Sequence, residues 1–304
     1  MATEFASEAS LKILIFGHNG QVGSSLVEQL NQQDQTLICP SRTEADFAHP
    51  EQVTQCIESY QPDVIVNACA YTAVDKAESD QATADAVNHL SVAAMAQAAL
   101  AADIPVIHIS TDYVFPGDAK QPYLEDDATG PHSVYGQTKL DGDLALANTL
   151  PKQVTLRTSW VFGEYGNNFV KTMLRLAESR DELNVVADQH GKPTYAGDIV
   201  TSILAFLKAL AEQKPIVWGT YHCSSAGETT WHGFAEAIFA EAKSLGVISK
   251  TPKVHPIPSS DFPTPAPRPA YSVLNTDKLN ATLAQPLPHW SEGLHKMLRH
   301  LQQG

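Results

Sequence analysis

The sequence has no closely spaced pair of cysteines, no excess of positive charge and no long apolar run. The spacing of its four cysteines suggests neither a disulfide framework nor a zinc site (Cys39, Cys56, Cys69 and Cys223). The 304 residues carry a net charge of −14, which argues against nucleic acid and anionic membranes, because both select basic surfaces. No apolar stretch reaches the roughly 18 residues of a membrane-spanning helix. These absences favour a reduced, cytoplasmic protein that binds neither nucleic acid nor membranes.

The amino-terminal segment and the overall size set two further expectations. Residues 1–10 carry two glutamates and no apolar core, which does not match a secretory signal and predicts a flexible tail. A hydrophobic content of 43% allows the chain to bury a full core, as one large domain or two smaller ones.

Residues 11–23, LKILIFGHNGQVG, place three glycines after an apolar segment. Residues 13–16 predict a buried strand and residues 24–31 a helix, with Gly17, Gly20 and Gly23 between them. Such a turn brings the main chain close to a pyrophosphate, whose charge meets the free N–H groups at the helix start. The strict fingerprint is G-x-G-x-x-G, whereas this one is G-x-x-G-x-x-G. The alternative is a structural strand–helix turn, but the flanking strand and helix favour dinucleotide binding.

Predicted strands and helices alternate through the first half of the chain. Further strands are expected at residues 36–39, 64–70 and 106–110, with helices at 50–60, 82–102 and 133–148. This alternation predicts an α/β fold with a doubly wound parallel sheet (Rossmann), in which residues 11–158 bind the dinucleotide. Strands near residues 184–223 are expected to complete the sheet. Residues 159–304 are expected to form mainly a smaller carboxy-terminal, substrate-binding lobe.

The loop after the second predicted strand bears on cofactor choice. An acidic residue there holds the ribose hydroxyls of NAD, whereas an arginine suits the 2′-phosphate of NADP. The sequence has Ser41 and Arg42 at this point and no carboxylate until Glu44. The loop therefore favours NADPH, with NADH as the alternative; an ordinary polar loop would favour neither.

Two side chains on one predicted helix face suggest proton transfer. Tyr135 and Lys139 are four residues apart, and a nearby ammonium lowers the pKa of a phenol from its ordinary value near 10. Thr111 follows the fourth predicted strand, where chemistry occurs in open α/β sheets. Tyr-x-x-x-Lys alone is a weak pattern, and its weight comes from following the glycine turn and this strand end.

Several longer tracts resemble one known family. The chain is similar to extended short-chain dehydrogenases/reductases and, more narrowly, to the branch that reduces dTDP-4-dehydrorhamnose. The tracts that carry this resemblance are GHNGQVG (17–23), PDVIVNACAYTAVDKAE (62–78), STDYVFPG (110–117), VYGQTKLDGD (134–143), RTSWVFG (157–163), GNNFVKTMLRLA (166–177), DQHGKPT (188–194) and PTPAPRP (263–269). Together they cover most of residues 11–301.

The resemblance implies reduction of the 4-keto group of dTDP-4-dehydro-L-rhamnose, in deoxysugar and cell-surface polysaccharide biosynthesis. Tyr135 would donate the proton, Lys139 would tune Tyr135 and hold the nicotinamide ribose, and Thr111 would orient the carbonyl. The implied cofactor-binding residues are Gly17, Asn19, Gly20, Gln21, Val22, Gly23, Ser41, Arg42, Asp46, Phe47, Ala70, Tyr71, Thr72, Tyr135 and Lys139. The implied substrate-binding residues are Val74, Thr111, Asp112, Trp160, Asn167, Asn168, Lys171 and Arg268, the last at the pyrophosphate.

Two other functions are compatible with this resemblance. The superfamily also contains nucleotide-sugar epimerases, dehydratases and reductases that give other deoxysugars. A relative serves as the regulatory subunit of methionine adenosyltransferase, a binding role that an intact Thr111, Tyr135 and Lys139 argue against. Some members dimerise through a metal held by surface glutamates, but the matching positions here are Ser25, Gly197 and His300. We therefore expect no metal, while a homodimer without such a bridge is compatible with the sequence.

Overall fold

A computed structural model describes residues 10–33 and 35–303. The flexible tail predicted over residues 1–10 lies, except for Ser10, outside the described residues.

Twelve strands and eleven α-helices are present in the described part of the chain. The strands are β1 (Lys12–Phe16), β2 (Thr36–Ile38), β3 (Val64–Asn67), β4 (Val106–Thr111), β5 (Gln153–Thr158), β6 (Val161–Phe162), β7 (Glu182–Val186), β8 (His190–Gly191), β9 (Thr194–Tyr195), β10 (Gly219–His222), β11 (Thr229–Thr230) and β12 (Lys253–Ile257). The helices are α1 (Gln21–Leu30), α2 (Pro50–Tyr60), α3 (Val74–Ala77), α4 (Gln81–Asp85), α5 (Ser91–Ala101), α6 (Val134–Thr149), α7 (Phe169–Ser179), α8 (Ala196–Ala211), α9 (Trp231–Ser244), α10 (Asp277–Leu283) and α11 (Trp290–Gln303). None of these described helices is both long and apolar enough to cross a membrane.

Six strands form one parallel sheet in the order β10-β5-β4-β3-β1-β2. Because β2 and β3 flank β1 on opposite sides, the connections diverge between β1 and β3. This point is the topological switch, and ligands of doubly wound sheets bind outside the carboxyl ends of the strands there. The glycine turn follows β1, and residues 68–70 follow β3, so both lie at this crevice.

The sheet is buried on both faces, as its apolar strands require. One face packs against α1 and α8, and the other packs against α2, α5 and the far end of α6. Leu14 and Ile15, which point to opposite faces of β1, are both fully buried. Burying such a side chain contributes roughly 1.5–3 kcal/mol.

The third strand is shorter than the predicted range of residues 64–70. It ends at Asn67, whose side-chain Oδ1 accepts a hydrogen bond from the Cys69 N–H at 3.0 Å. This local hydrogen bond replaces the one that the Cys69 N–H would make to the neighbouring strand if β3 continued. Residues 68–73 therefore leave the sheet as a loop.

The predicted helix over residues 82–102 contains a widened π-helical turn at Ala86–Leu90. Asn88 lies in this turn, and its Oδ1 accepts the Tyr71 N–H at 2.8 Å. Its Nδ2 donates to Thr138 Oγ1 at 3.1 Å. The widened turn thus ties the loop after β3 to helix α6, and turns of this kind are frequent at functional sites.

The carboxy-terminal half departs from the prediction at one strand. Strand β10 joins the main sheet beside β5, but β7 pairs with β12 in a separate two-stranded sheet. The strand expected near residue 184 is therefore not part of the main sheet. The cause is that β7 is buried only at its end and packs against α9 in a third apolar cluster with α7 and α11.

Candidate active site

The glycine turn after β1 is too crowded for any larger residue. Gly17 has φ +75°, and a Cβ there would lie 2.6 Å from the backbone of Ala68 and Cys69. A Cβ on Gly23 would lie 2.1 Å from the Gly17 carbonyl oxygen. Both positions therefore require glycine, for conformation at Gly17 and for close packing at Gly23.

Helix α1 begins directly beyond this turn with its N–H groups available. Its N-cap, Gly20, provides no side-chain hydrogen bond, and its first turn has no acidic residue. Unsatisfied N–H groups and the positive end of the helix dipole favour an anion at this place. The first turn also carries Gln21 and Val22, which line a central cavity of about 520 Å³.

A second cavity of about 440 Å³, the Arg42 cavity, opens on the other side of the turn. It shares Ala70 with the central cavity, so the two adjoin. Two cations at its edge are paired: Arg42 Nε lies 3.1 Å from Asp46, and Lys76 Nζ lies 3.6 Å from Asp80. The remaining predicted residues that line it are Gly17, Asn19, Phe47 and Tyr71.

The central cavity brings Thr111, Tyr135 and Lys139 together. Thr111 ends β4, and its hydroxyl donates to Asp112 Oδ1 at 3.1 Å. Tyr135 lies in the first turn of α6, which Ser133 caps by accepting the Gly136 N–H at 3.1 Å. Strand β4 and helix α6 thus place the three residues in the lining of the central cavity.

The protonation of Tyr135 differs from the expectation. Burial raises the pKa of this phenol, and a hydrogen bond with the Thr111 side chain offsets only part of the rise. The prediction that Lys139 lowers this pKa is wrong for this structure, because Lys139 Nζ is turned towards Ile109 O at 2.8 Å. Burial also lowers the pKa of Lys139 itself. Tyr135 is therefore a phenol that keeps its proton at neutral pH.

Trp160 also lines the central cavity, in a strained conformation. Its φ of +47° is uncommon for a bulky residue, and strain of this kind clusters at functional sites. The ring stacks on Trp231 with centroids 3.6 Å apart. A Cβ on Gly191 would lie 2.5 Å from the Trp160 ring, so this glycine leaves room for it.

A third cavity of about 490 Å³, the aromatic cavity, adjoins the central one through Val74 and Tyr113. Arg268 lines it and donates from Nη2 to Asp75 Oδ2 at 2.8 Å. The Nη1 of Arg268 is buried and has no hydrogen-bond partner. The lining also includes three rings from distant segments, namely Phe169, Trp231 and Phe262.

Most of the remaining predicted residues also lie on the central cavity, namely Gly20, Thr72, Val74, Asp112 and Asn167. Apart from Gly23, which packs within the glycine turn, three do not line any of the three cavities. Ser41 donates from its hydroxyl to Glu44 at 2.7 Å, Asn168 caps α7, and Lys171 Nζ donates to Glu164 O and Gly166 O. Each is engaged by a neighbour close in sequence, which the motifs alone did not reveal.

Sequence reasoning missed several lining residues. Asp75 and Lys76 stand within a recognised tract but were assigned no role. His18 lines the Arg42 cavity, with a buried Nδ1 that has no partner. Phe169 also stands within a recognised tract, whereas Trp231 and Phe262 have no local signal beyond being large aromatic residues. Only the fold brings the three rings together.

Comparison with known proteins agrees with this geometry. Residues 11–303 match the model of a family described as RmlD substrate binding domain. The dTDP-4-dehydrorhamnose reductase of Escherichia coli (strain K12) is 45% identical over 294 residues, which are 96% of this chain and 98% of the relative. The chain belongs to the dTDP-4-dehydrorhamnose reductase family. The predicted family, the doubly wound fold and the class of NAD(P)H-dependent oxidoreductase are thereby confirmed.

Two further members or neighbours of the family bear on the site. The crystal structure of dTDP-4-dehydrorhamnose reductase from Bacillus anthracis str. Ames, in complex with NADP, is 34% identical to this chain. It superposes with a TM-score of 0.88 and covers 96% of this chain and 99% of its own. A Streptomyces antibioticus relative, named a probable dTDP-4,6-dihydroxy-2-methyloxan-3-one 4-ketoreductase, is 37% identical over 94% of each chain.

Proposed function

We propose that this protein reduces the 4-keto group of dTDP-4-dehydro-L-rhamnose to give dTDP-L-rhamnose, with NADPH as the reductant. The observation that carries the proposal is the central cavity, where Thr111, Tyr135 and Lys139 line one wall beside the glycine turn. The similarity to reductases of this substrate over 96% of the chain supports the choice of sugar.

The cofactor fits the cleft in three respects. The glycine turn admits a pyrophosphate at the start of α1, the Arg42 cavity has room for the adenosine, and Ala70 lines the passage between the cavities. When bound, NADPH supplies a hydride. Arg42 is the residue we assign to the 2′-phosphate, since its guanidinium binds phosphate well. Asp46 is its present partner, and a phosphate would compete with that carboxylate.

Tyr135 is the proton donor in this proposal. Its raised pKa keeps the phenol protonated at neutral pH. When Tyr135 donates its proton to the forming C4 alkoxide, the negative charge moves from the sugar oxygen to the buried phenolate. General acid catalysis of this kind contributes roughly 10²–10⁴ in rate. The Thr111 hydroxyl donates a hydrogen bond to the carbonyl oxygen, and Lys139, which lines the same cavity, would hold the nicotinamide ribose.

The aromatic cavity is the place we assign to the nucleotide of the substrate. Aromatic faces from Phe169, Trp231 and Phe262 suit a thymine base, while the free Nη1 of Arg268 suits a pyrophosphate oxygen. Trp160 and Val74 stand between this cavity and the reacting centre. We further propose a cytoplasmic enzyme of deoxysugar biosynthesis, which rests on the family resemblance.

The test is incubation of the purified protein with dTDP-4-dehydro-L-rhamnose and NADPH, followed by identification of the product. Consumption of NADPH with formation of dTDP-L-rhamnose is the expected result. The Streptomyces relative makes a sister ketoreductase the second candidate, and formation of a different deoxysugar would favour it. Conversion of the sugar without net NADPH consumption would instead favour an epimerase or a dehydratase.

A further inference from the structure

Lys139 stands in a buried polar cluster behind the reacting centre. Lys139, His108 and Asp143 are 1%, 0% and 4% exposed. Lys139 Nζ donates to the Ile109 carbonyl at 2.8 Å and lies 3.3 Å from His108 Nε2. The reduction proposed above uses Lys139 but gives no role to the other two side chains.

The tautomer of His108 follows from its neighbour Asn67. The Oδ1 of Asn67 accepts the Cys69 N–H at 3.0 Å, which fixes the orientation of the amide. Its Nδ2 therefore faces His108 Nδ1 at 3.0 Å and donates to it. A neutral imidazole that accepts at Nδ1 carries its hydrogen at Nε2. Burial and the charge of Lys139 keep the ring neutral, since both lower the pKa of His108 well below its ordinary value.

The hydrogen on Nε2 points into the space between Lys139 and Asp143. Asp143 Oδ1 lies 3.7 Å from Nε2 and has no hydrogen-bond partner, although it is buried. The other oxygen of Asp143 accepts from Ser110 Oγ at 2.8 Å and lies 3.4 Å from Arg157 Nε. The carboxylate therefore presents its free oxygen to the imidazole.

Lys139 and Asp143 have the spacing of an ion pair but do not form one. They are four residues apart on α6, where opposite charges normally pair. Among the described residues, the basic side chains within 4.0 Å of the Asp143 carboxylate are the neutral His108 and the charged Arg157. The imidazole thus occupies the position in which the ammonium would meet the carboxylate.

We propose that His108 is a positioning residue for Lys139, which holds the ammonium apart from Asp143. Because Nε2 carries a hydrogen, it cannot accept one from the ammonium. The N–H groups of Lys139 are left to the Ile109 carbonyl and to the central cavity, which Lys139 lines. Without this spacer, Lys139 would turn to Asp143 and withdraw from the cavity. The inference rests on the proposed role of Lys139 in holding the cofactor.

Two substitutions at position 108 separate spacing from packing. His108→Gln keeps an amide N–H near the position of Nε2, between the ammonium and the carboxylate. His108→Asn keeps a partner for Asn67 but leaves the position of Nε2 empty. We expect the Asn variant to bind NADP⁺ about tenfold more weakly, the effect of one lost charged hydrogen bond, and the Gln variant to bind nearly as the wild type does. Thermal unfolding of both variants measures the loss of packing separately.

Three outcomes of the binding measurement are decisive. Weaker NADP⁺ binding by the Asn variant, together with nearly wild-type binding by the Gln variant, supports the proposal that His108 holds Lys139 apart from Asp143. Equal affinity in all three proteins would overturn it, and so would equal losses in both variants, since packing alone explains that result. The measurement uses cofactor without the sugar, so it is independent of whether the wild type reduces dTDP-4-dehydro-L-rhamnose.

A spectroscopic measurement on the wild type does not depend on the folding of any variant. Long-range ¹H–¹⁵N NMR distinguishes the two neutral tautomers and the imidazolium. The chain has 12 histidines, and comparison with His108→Gln identifies the signal of His108. We expect the neutral Nε2–H tautomer throughout pH 6–8. The Nδ1–H tautomer, or an imidazolium at pH 7, would contradict the proposal.

Discussion

The two ends of the cleft, the Arg42 cavity and the aromatic cavity, differ in how much of their surface is main chain and how much is side chain. At the cofactor end the glycine turn presents main chain to the cleft, because Gly17 and Gly23 leave no room for a side chain. At the aromatic cavity side chains form the contact surface, and they come from segments as far apart as Asp75 and Arg268. A main-chain surface admits few substitutions, whereas a side-chain surface can change without altering the fold.

This difference assigns separate tasks to the two ends. The glycine turn fixes a chemistry that any member of the fold can share, namely the binding of a dinucleotide. The aromatic cavity is the end that we assign to the nucleotide of the substrate, and its side chains can differ between family members. The Streptomyces relative, which matches 94% of the chain, has a name that describes a different ketone.

The largest expected effect lies where the two ends meet. Tyr135→Phe removes the proton donor and keeps the ring, which packs edge-on against Tyr113. We expect kcat to fall by about 10²–10⁴, with little change in the dissociation constant of NADPH. Steady-state kinetics and a cofactor titration measure both. Tyr221→Phe, which alters a buried tyrosine of β10, is the control. Near-normal turnover by the Tyr135 variant would remove this residue from the mechanism.

A second effect at the same place is on stability. Burial raises the pKa of Asp112 to about 6, and its Oδ2 is buried without a partner. Below the unfolded pKa near 4 both states are protonated. As the pH rises towards 6, the unfolded chain ionises first, so the wild type loses stability, by about 3 kcal/mol at most.

Asp112→Asn should remove this loss. We expect the variant to gain stability relative to the wild type between pH 4 and pH 7, measured by urea unfolding at both values. Asp126→Asn, at an exposed acid, should show no such gain. A constant difference in unfolding free energy between wild type and the Asp112 variant at all pH values would show that Asp112 does not titrate as stated.

At the substrate end, Arg268→Met should raise the KM for the sugar nucleotide about 10–100-fold, the effect of a lost charge-assisted hydrogen bond. Cofactor affinity should stay the same, because Arg268 lines the aromatic cavity and not the Arg42 cavity. Arg180→Met, at an exposed position after α7, is the matched control. A loss of NADPH affinity in the Arg268 variant would contradict the separation of the two ends.

At the cofactor end, Arg42→Ala should reduce the preference for NADPH over NADH by about tenfold. The side chain is 80% exposed, and Asp46 competes for it, so the effect is the smallest of the four. The ratio of kcat/KM for the two cofactors measures it, with Arg180→Ala as the control. An unchanged ratio would mean that this loop does not recognise the 2′-phosphate.

The same difference between the ends explains what the sequence could predict. Gly17 and Gly23 were recognisable because a main-chain contact leaves a glycine at a fixed spacing. Tyr135 and Lys139 were recognisable because a helix face repeats every three to four residues. These signals are local, and the strand order brought them together at the switch point as expected.

Features that depend on distant contacts were not predictable in this way. The ion pair of Asp75 and Arg268 joins residues 193 positions apart, and the pairing of β7 with β12 joins residues 71 positions apart. The engagement of Ser41 by Glu44 and the raised pKa of Tyr135 depend on side-chain placement and burial. Residue type and spacing contain neither kind of information.

The central claim is that the two ends meet at a ketone carbon facing Tyr135. Its most direct test is reduction of dTDP-4-dehydro-L-rhamnose with NADPH that carries deuterium at C4 of the nicotinamide, using each stereospecifically labelled form. One of the two forms is predicted to deliver deuterium to C4 of the sugar, in a product that NMR identifies as dTDP-L-rhamnose. Deuterium at another carbon, a different sugar, or no transfer from either form would contradict the account.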